Sequence, residues 1–110
     1  MESDTAVAIR RLNDALRCRG EGGRVVITQG VAALGSAAVA AVLGSVAAFD
    51  DFTDDNDPYG EHDCAVLTVG AARIIWKIDY YDTDLTGHSP DPTDAAVTTR
   101  VLTVMLAEEY

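Results

Sequence analysis

The fold follows from residues 65–81, which read AVLTVGAARIIWKIDYY. Two segments rich in β-branched and aromatic residues flank Gly70-Ala71, and a glycine at the first central position is typical of a two-residue hairpin turn. Successive side chains of a strand point to opposite faces, so the alternation in the second segment separates one apolar face from a mixed one. The pattern predicts an antiparallel hairpin whose buried face carries Ile74, Trp76, Ile78 and Tyr80.

Two elements are predicted before this hairpin. Residues 4–19 carry apolar side chains at helical spacing, and Ser3 or Asp4 is the expected N-cap. Three glycines within residues 20–23 then end the helix. Residues 24–28 are rich in β-branched residues and predict a short strand.

Two further helices complete the predicted order. Ser36 is expected to cap an Ala-rich helix over residues 37–48. Asp91 and Pro92 have the residue types that open a helix, and we predict the last helix from there. For the Thr/Val-rich residues 98–104, a strand is the alternative. The order α-β-α-β-β-α predicts an α+β fold, in which helices cover a short, mainly antiparallel sheet.

Composition predicts one acidic globular domain over residues 1–110. The chain is 48% hydrophobic and 24% charged, and its net charge is -10. Residues 50–110 hold fourteen acids against three basic residues, a net charge of -11. Because nucleic-acid binding depends on contacts of Lys and Arg with phosphate, this distribution argues against DNA or RNA as a direct ligand.

We expect a cytoplasmic protein. Its first residues are acidic and lack the basic start of a signal peptide. The uncharged residues 30–49 are numerous enough to cross a bilayer, but Ala, Gly and Ser gain little from hydrocarbon, so we predict a buried helix and no membrane association. Cys18 and Cys64 lie far apart without metal-ligand spacing, which predicts two reduced, partly buried thiols.

The acidic loop, defined as residues 50–63, is the densest chemical feature of the chain. It holds seven carboxylates and no Lys or Arg. Such a surface attracts basic protein grooves, and a tyrosine within it is a frequent interface anchor. A solvated loop that only keeps the protein soluble is the alternative. The predicted partner-binding residues are Asp50, Asp51, Asp54, Asp55, Asp57, Tyr59, Glu61 and Asp63, extended by Asp79, Asp82 and Asp84.

Other functions are weighed against this one. An EF-hand calcium loop with Gly60 at its sixth position would lack the ligands required at Tyr59 and Val66. A dimerising regulatory module would use helix 37–48 or a free sheet edge. We predict no catalytic residue, no metal and no cofactor. The candidates for a small hydrolase or nuclease-like site are Glu61, His62, Asp63 and His88.

Two motifs carry a resemblance that extends over nearly the whole chain: NDPYGEHD at residues 56–63 and WKIDYYD at residues 76–82. They resemble a small bacterial family of uncharacterised proteins that accompany plasmids and prophages. Cys64 departs from the aromatic residue expected at that position. The resemblance implies no activity or catalytic residues, and its mobile-element context implies an anti-defence role. We therefore expect a non-enzymatic inhibitor, monomeric or homodimeric, that mimics DNA charge in the basic groove of a CRISPR surveillance complex.

Overall fold

The computed structural model describes residues 3–110, in which one four-stranded sheet is layered against three helices. The strand order is β1-β4-β3-β2; β1 runs parallel to β4 and the other neighbours are antiparallel. The α+β class and the mainly antiparallel sheet are confirmed. The elements are α1 (Asp4–Arg19), β1 (Arg24–Ile27), α2 (Gln29–Ala32), α3 (Ser36–Ala48), β2 (Cys64–Val69), β3 (Ala72–Tyr81) and β4 (Thr99–Leu106), with 3-10 turns at Ala95–Val97 and Ala107–Glu109.

The predicted hairpin is formed by β2 and β3. Val69 pairs with Ala72 across Gly70-Ala71, and Gly70 has φ +59°, a conformation that glycine adopts without strain. The alternation of the second strand also holds. Of the predicted core face, Ile74, Trp76 and Ile78 are buried and Tyr80 is half-buried.

The last predicted helix is wrong, because residues 99–106 form β4 in the middle of the sheet. β4 pairs with β3 along its whole length and with β1 on its other side. Its inward positions Arg100, Leu102 and Val104 are buried with the period of a strand. Asp91 closes a local turn instead, since its carboxylate accepts hydrogen bonds from the amide and hydroxyl of Thr93. Pairing on both edges outweighs a local helix signal.

The ends of α1 agree with the sequence, and the start of α3 differs slightly. The Ser3 hydroxyl accepts the Ala6 N–H at 3.0 Å, and Gly20, with φ +70°, ends α1. The third helix begins at Ser36 itself, one residue earlier than expected. Its N-cap is Gly35, which makes no side-chain capping bond.

One apolar cluster joins the helices to the sheet. Leu16 of α1, Val31 of α2 and Val46 of α3 are fully buried in it, together with Trp76 of β3. Each such side chain stabilises the fold by about 1.5–3 kcal/mol when removed from water. Since all three helices join this cluster, they lie on one face of the sheet, here called the inner face; the opposite one is the outer face. Within residues 3–110 no helix has the length and apolar composition needed to cross a membrane.

Candidate functional site

His62 holds the acidic loop against α1. Its imidazole stacks on Phe52 with ring centroids 3.7 Å apart, and its Nδ1 lies 2.9 Å from a carboxylate oxygen of Asp14. On the other side its Nε2 lies 3.6 Å from Oδ2 of Asp57, and its backbone N–H donates to Oδ1 at 3.1 Å. An imidazole held by two carboxylates and an aromatic ring therefore links the loop to a helix 48 positions earlier in the chain.

Arg17 holds the start of the same loop. Its guanidinium, only 4% exposed, donates to the carbonyls of Val46 and Phe49 at the C-terminal end of α3, at 2.9 and 2.8 Å. It also pairs with Asp14 at 3.0 Å and lies 5.3 Å from the centroid of Phe52. The last carbonyls of a helix lack intrahelical donors and carry partial negative charge, so a buried cation satisfies both requirements there.

A second buried network fixes the end of the loop. Tyr80 donates its hydroxyl to Glu61 at 2.9 Å and accepts the Asn13 amide at 2.8 Å. Arg100 in turn donates Nε to Asn13 at 2.8 Å, with its guanidinium 5.1 Å from the Tyr80 ring centroid. Burial raises the pKa of Tyr80 above its ordinary value and lowers that of Arg100. Glu61, which is half-buried, is thereby bonded within the protein.

The outward side of the loop carries carboxylates that are exposed to solvent. Local bonds shape it, because the Asn56 side chain donates to the Asp51 carbonyl and accepts the Thr53 N–H, each at 2.8 Å. Tyr59 is 77% exposed. We call this region the acidic surface; it consists of the exposed residues Asp50, Asp51, Asp54, Asp55 and Tyr59.

A cleft of about 510 Å³ opens beside the acidic surface. Asp54 and Tyr59 line it from the exposed side, and Phe52, Asp57 and His62 line its inner part. An exposed carboxylate and an exposed tyrosine ring beside one cleft are chemically suited to a basic side chain, which gains both charge pairing and a ring-face contact.

Two other predicted partner-binding residues, Asp63 and Asp79, line a separate cleft. Asp63 lines a cleft of about 400 Å³ with His88, and burial, followed by the nearby Glu61 carboxylate, raises the pKa of Asp63. Asp79 borders the same cleft and forms an ion pair with Lys77 at 2.5 Å. These two carboxylates therefore do not belong to the cleft beside Tyr59.

Of the remaining predicted partner-binding residues, two lie in a turn after β3 and one is buried in the fold. Asp82 accepts the amide and the hydroxyl of Thr86, and these hydrogen bonds lower its pKa. Asp84 is exposed in the same turn. Asp57 is buried, and its carboxylate accepts a hydrogen bond from the backbone N–H of His62. The structure thus brings five of the predicted residues together on the acidic surface and assigns internal roles to Asp57 and Glu61.

Of the four residues proposed for a hydrolase or nuclease-like site, Asp63 and His88 line one cleft, while Glu61 and His62 contact other side chains. Glu61 accepts the hydrogen bond of the Tyr80 hydroxyl, the His62 imidazole contacts the Asp14 carboxylate, and His88 lines the same cleft as Asp63. In the described part of the chain, no three His, Cys, Asp or Glu side chains are grouped so that they could hold a metal ion.

The cysteines are unpaired, as expected, but their environment differs from the expectation. Cys18 and Cys64 are both exposed rather than partly buried. The Cys18 thiol donates to the Ala47 carbonyl at 3.3 Å. Although Cys64 is exposed as a residue, partial desolvation of its thiol, followed by the neighbouring Asp63 carboxylate, raises its pKa and so reduces its thiolate fraction at neutral pH.

A family model described as a protein of unknown function, DUF3768, matches residues 27–109. The chain belongs to the DUF3768 family. This confirms the predicted membership of a domain-of-unknown-function family. No match was found among curated proteins or among solved structures. The DUF3768 match includes the acidic loop, the hairpin and β4, and it begins after α1.

The anchors of the loop in α1, outside the DUF3768 match, were missed from sequence. Asn13 and Arg17 lie one helical turn apart on the stripe that also carries Ile9 and Leu16, and all four are buried. Polar residues at two successive turns of an apolar stripe were a usable signal, because a buried polar side chain needs a partner elsewhere in the fold.

Proposed function

We propose that this DUF3768 protein is a non-enzymatic binding protein whose acidic surface docks into a basic groove of another protein. One observation carries the proposal: four exposed carboxylates and an exposed tyrosine project from a loop whose inner side is tied to α1 by His62 and Arg17. A loop that served solubility alone would need no such anchoring. The anchoring is what favours recognition over the solvated-loop alternative.

The fixed conformation supports affinity. A mobile loop loses conformational freedom when it binds, at about 0.5–1.5 kcal/mol for each immobilised side chain. Here the backbone is already ordered by the stacking of Phe52 on His62 and by the Asn56 bonds. The acidic surface therefore meets its partner without a large further loss of entropy.

The charge distribution supports attraction to a basic groove. The loop has no Lys or Arg to neutralise its carboxylates, and the chain carries a net charge of -10. Such a field accelerates encounter with a positive surface and weakens as salt shortens the Debye length to about 8–10 Å. Binding that depends on the acidic surface should therefore fall steeply with ionic strength.

The cleft beside Tyr59 suits one basic side chain of the partner. An Arg or Lys placed there would face the carboxylate of Asp54 and the ring of Tyr59, with Asp57 and Phe52 deeper in the cleft. Tyrosine and arginine are the residue types that most often dominate interface energy. We infer that Tyr59 anchors the contact and that the surrounding aspartates orient it.

The partner we propose is a nucleic-acid-binding groove, whose basic residues otherwise contact phosphates. Carboxylates mimic the negative charge of that backbone without being nucleic acid. The resemblance to plasmid and prophage accessory proteins narrows the class to a host defence complex, with a CRISPR surveillance complex as the first to test.

The experiment measures the affinity of the protein for a purified type I CRISPR surveillance complex at low and at high salt. The test variant reverses Asp50, Asp51, Asp54 and Asp55 to lysine, and each reversal changes the net charge by two, from -10 to -2. A matched control makes the same change in charge elsewhere on the surface, by reversing the exposed residues Asp4, Glu21, Asp94 and Glu108 to lysine.

We expect salt-sensitive binding by the natural chain and by the control, and a loss of at least about tenfold in the test variant, since several charge contacts are removed. Circular dichroism establishes that both variants fold. Absence of binding at low salt would overturn the CRISPR target. Equal loss in the two variants would show that total charge, and not the acidic surface, governs binding.

A second candidate function is a dimerising regulatory module. It is favoured by one specific observation: β2 lies at the edge of the sheet, and its six residues include no charged side chain. This function and the first use different surfaces of the molecule.

A further inference from the structure

The edge strand β2 lacks the features that usually keep sheet edges from pairing. It covers Cys64–Val69, and β3 is the one strand paired with it in the part of the chain that the structure describes. Its six residues include no charge and no proline, and its register with β3 runs without a bulge. Monomeric proteins commonly protect such an edge with lysine, proline or a bulge.

The hairpin register defines which backbone groups face the open side. Val69 and Ala72 close a two-residue turn, so they exchange both hydrogen bonds, and the bonded pairs then alternate along the strand. The bond from the Ile78 N–H to the Asp63 carbonyl, 2.7 Å long, continues the same alternation. The residues between bonded pairs therefore direct their N–H and C=O groups to the open edge; these are Cys64, Val66 and Thr68.

We propose that β2 pairs antiparallel with β2 of a second copy of this chain, about a two-fold axis at Val66. In this register Val66 faces Val66 of the second copy, and Cys64 faces Thr68 in both directions. All three outward residues are then paired, whereas a shift by one position along the strand leaves at least one unpaired. The two sheets join into one of eight strands, and their outer faces lie on the same side.

Charge favours a second copy in the antiparallel direction. β2 follows the acidic loop directly at Asp63 and leads through the turn to Arg73. Lys77, opposite Cys64, is paired with Asp79, so the two ends of the strand still differ in charge. Antiparallel pairing brings the acidic end of each copy toward the basic end of the other. It also separates the two Cys64 positions by about 14 Å along the strands, at about 3.4 Å per residue. This exceeds the Debye length of about 8–10 Å at physiological salt, so repulsion between the acidic loops is largely screened.

A groove beside the edge receives side chains of the second copy. It has a volume of about 310 Å³ on the outer face and is lined by Val66, Ile75, Lys77 and Tyr110, among others. Val66 is 45% exposed there and Tyr110 82% exposed. Pairing at Val66 would cover this apolar surface in both copies at once, which adds hydrophobic stabilisation to the backbone bonds.

Cysteine cross-linking tests the register. In a background with Cys18→Ser and Cys64→Ser, Val66→Cys places two thiols opposite each other, at a Cα separation of about 5.5 Å that a disulfide spans. Val26→Cys on the other edge strand is the matched control, because Val26 is 43% exposed and its register also places it on the outer face. We expect mild oxidation to yield covalent dimer with Val66→Cys and little with Val26→Cys. Equal yields would overturn the proposal.

Sedimentation velocity tests the dimer without cross-linking. We expect the natural chain to dimerise with rising concentration, Val66→Lys to raise the dimer dissociation constant at least about tenfold, and Val26→Lys to change it less than about twofold. The proposal would be overturned if the natural chain stays monomeric up to about 1 mM, because any association would then be too weak for a specific interface. These variants leave the acidic surface unchanged, so failure of the dimer and failure of partner binding are separate results.

Discussion

Replacing Arg17 by methionine removes the cation that connects the end of α3 to α1 and keeps an unbranched side chain of similar length. The natural guanidinium is 4% exposed, donates to the carbonyls of Val46 and Phe49, and pairs with Asp14. Breaking a buried charged pair costs about 3–5 kcal/mol. Because the Asp14 side chain is 35% exposed and regains water, we expect the lower limit, about 3 kcal/mol.

Urea unfolding followed by tryptophan fluorescence measures this loss. Trp76 is the single tryptophan of the chain and is fully buried, so its emission reports exposure of the core. For a domain of this size, about 3 kcal/mol corresponds to a decrease in Tm of about 12 °C. Arg17→Lys is the control: it keeps the charge without the planar fork, and we expect a smaller loss. A loss below about 1 kcal/mol for Arg17→Met would refute the role assigned to Arg17.

Three further predictions concern pH and the hydrolase alternative. Hydrogen bonds, first from the Thr28 hydroxyl and then from two backbone amides, lower the pKa of Glu109. The carboxylate therefore stabilises the fold above about pH 4.3, and this stabilisation is lost as pH falls through the lowered pKa. Glu109→Gln should reduce Tm at pH 7, and the reduction should become smaller as pH falls below about 4. Burial raises the pKa of Asp63, so ionisation of this carboxyl destabilises the fold, and Asp63→Asn should raise Tm at pH 7 but hardly at pH 3. If Glu109→Gln and Asp63→Asn change Tm in the same direction at pH 7, this reasoning is contradicted. His62→Ala removes the imidazole that lies beside the buried Asp57 carboxylate and stacks on Phe52, and it should cost about 2 kcal/mol in urea unfolding. A Tm that rises by several degrees with Mg²⁺ or Zn²⁺ in the natural chain, and not in this variant, would favour the hydrolase alternative.

The elements predicted correctly from sequence are those encoded by neighbours in the chain. The β2–β3 hairpin needed a two-residue turn and a period of two, and α1 needed a cap and a period of about 3.6. β4 was predicted wrongly because its position depends on partners far away. Its residues pair with β1, more than seventy positions earlier, and with β3, and this pairing outweighs the local cap at Asp91.

The site was predicted in part, for a related reason. Carboxylate density identified the acidic loop, but an exposed aspartate and an internal one have the same local sequence signature. Asp54 and Asp57 stand three positions apart, one exposed and one buried. Only the placement of α1 beneath the loop, with Asp14 within reach of His62, separates them.

Composition and local periodicity were enough to predict the net charge, the helix α1, the hairpin and the location of the acidic loop, because they depend on adjacent residues alone. The place of β4 inside the sheet, the outward direction of particular carboxylates and the open edge at β2 could be read only from the folded chain. Those properties arise from contacts between segments that are distant in sequence, and a polar side chain is assigned to solvent or to the interior only when its buried partner is in place.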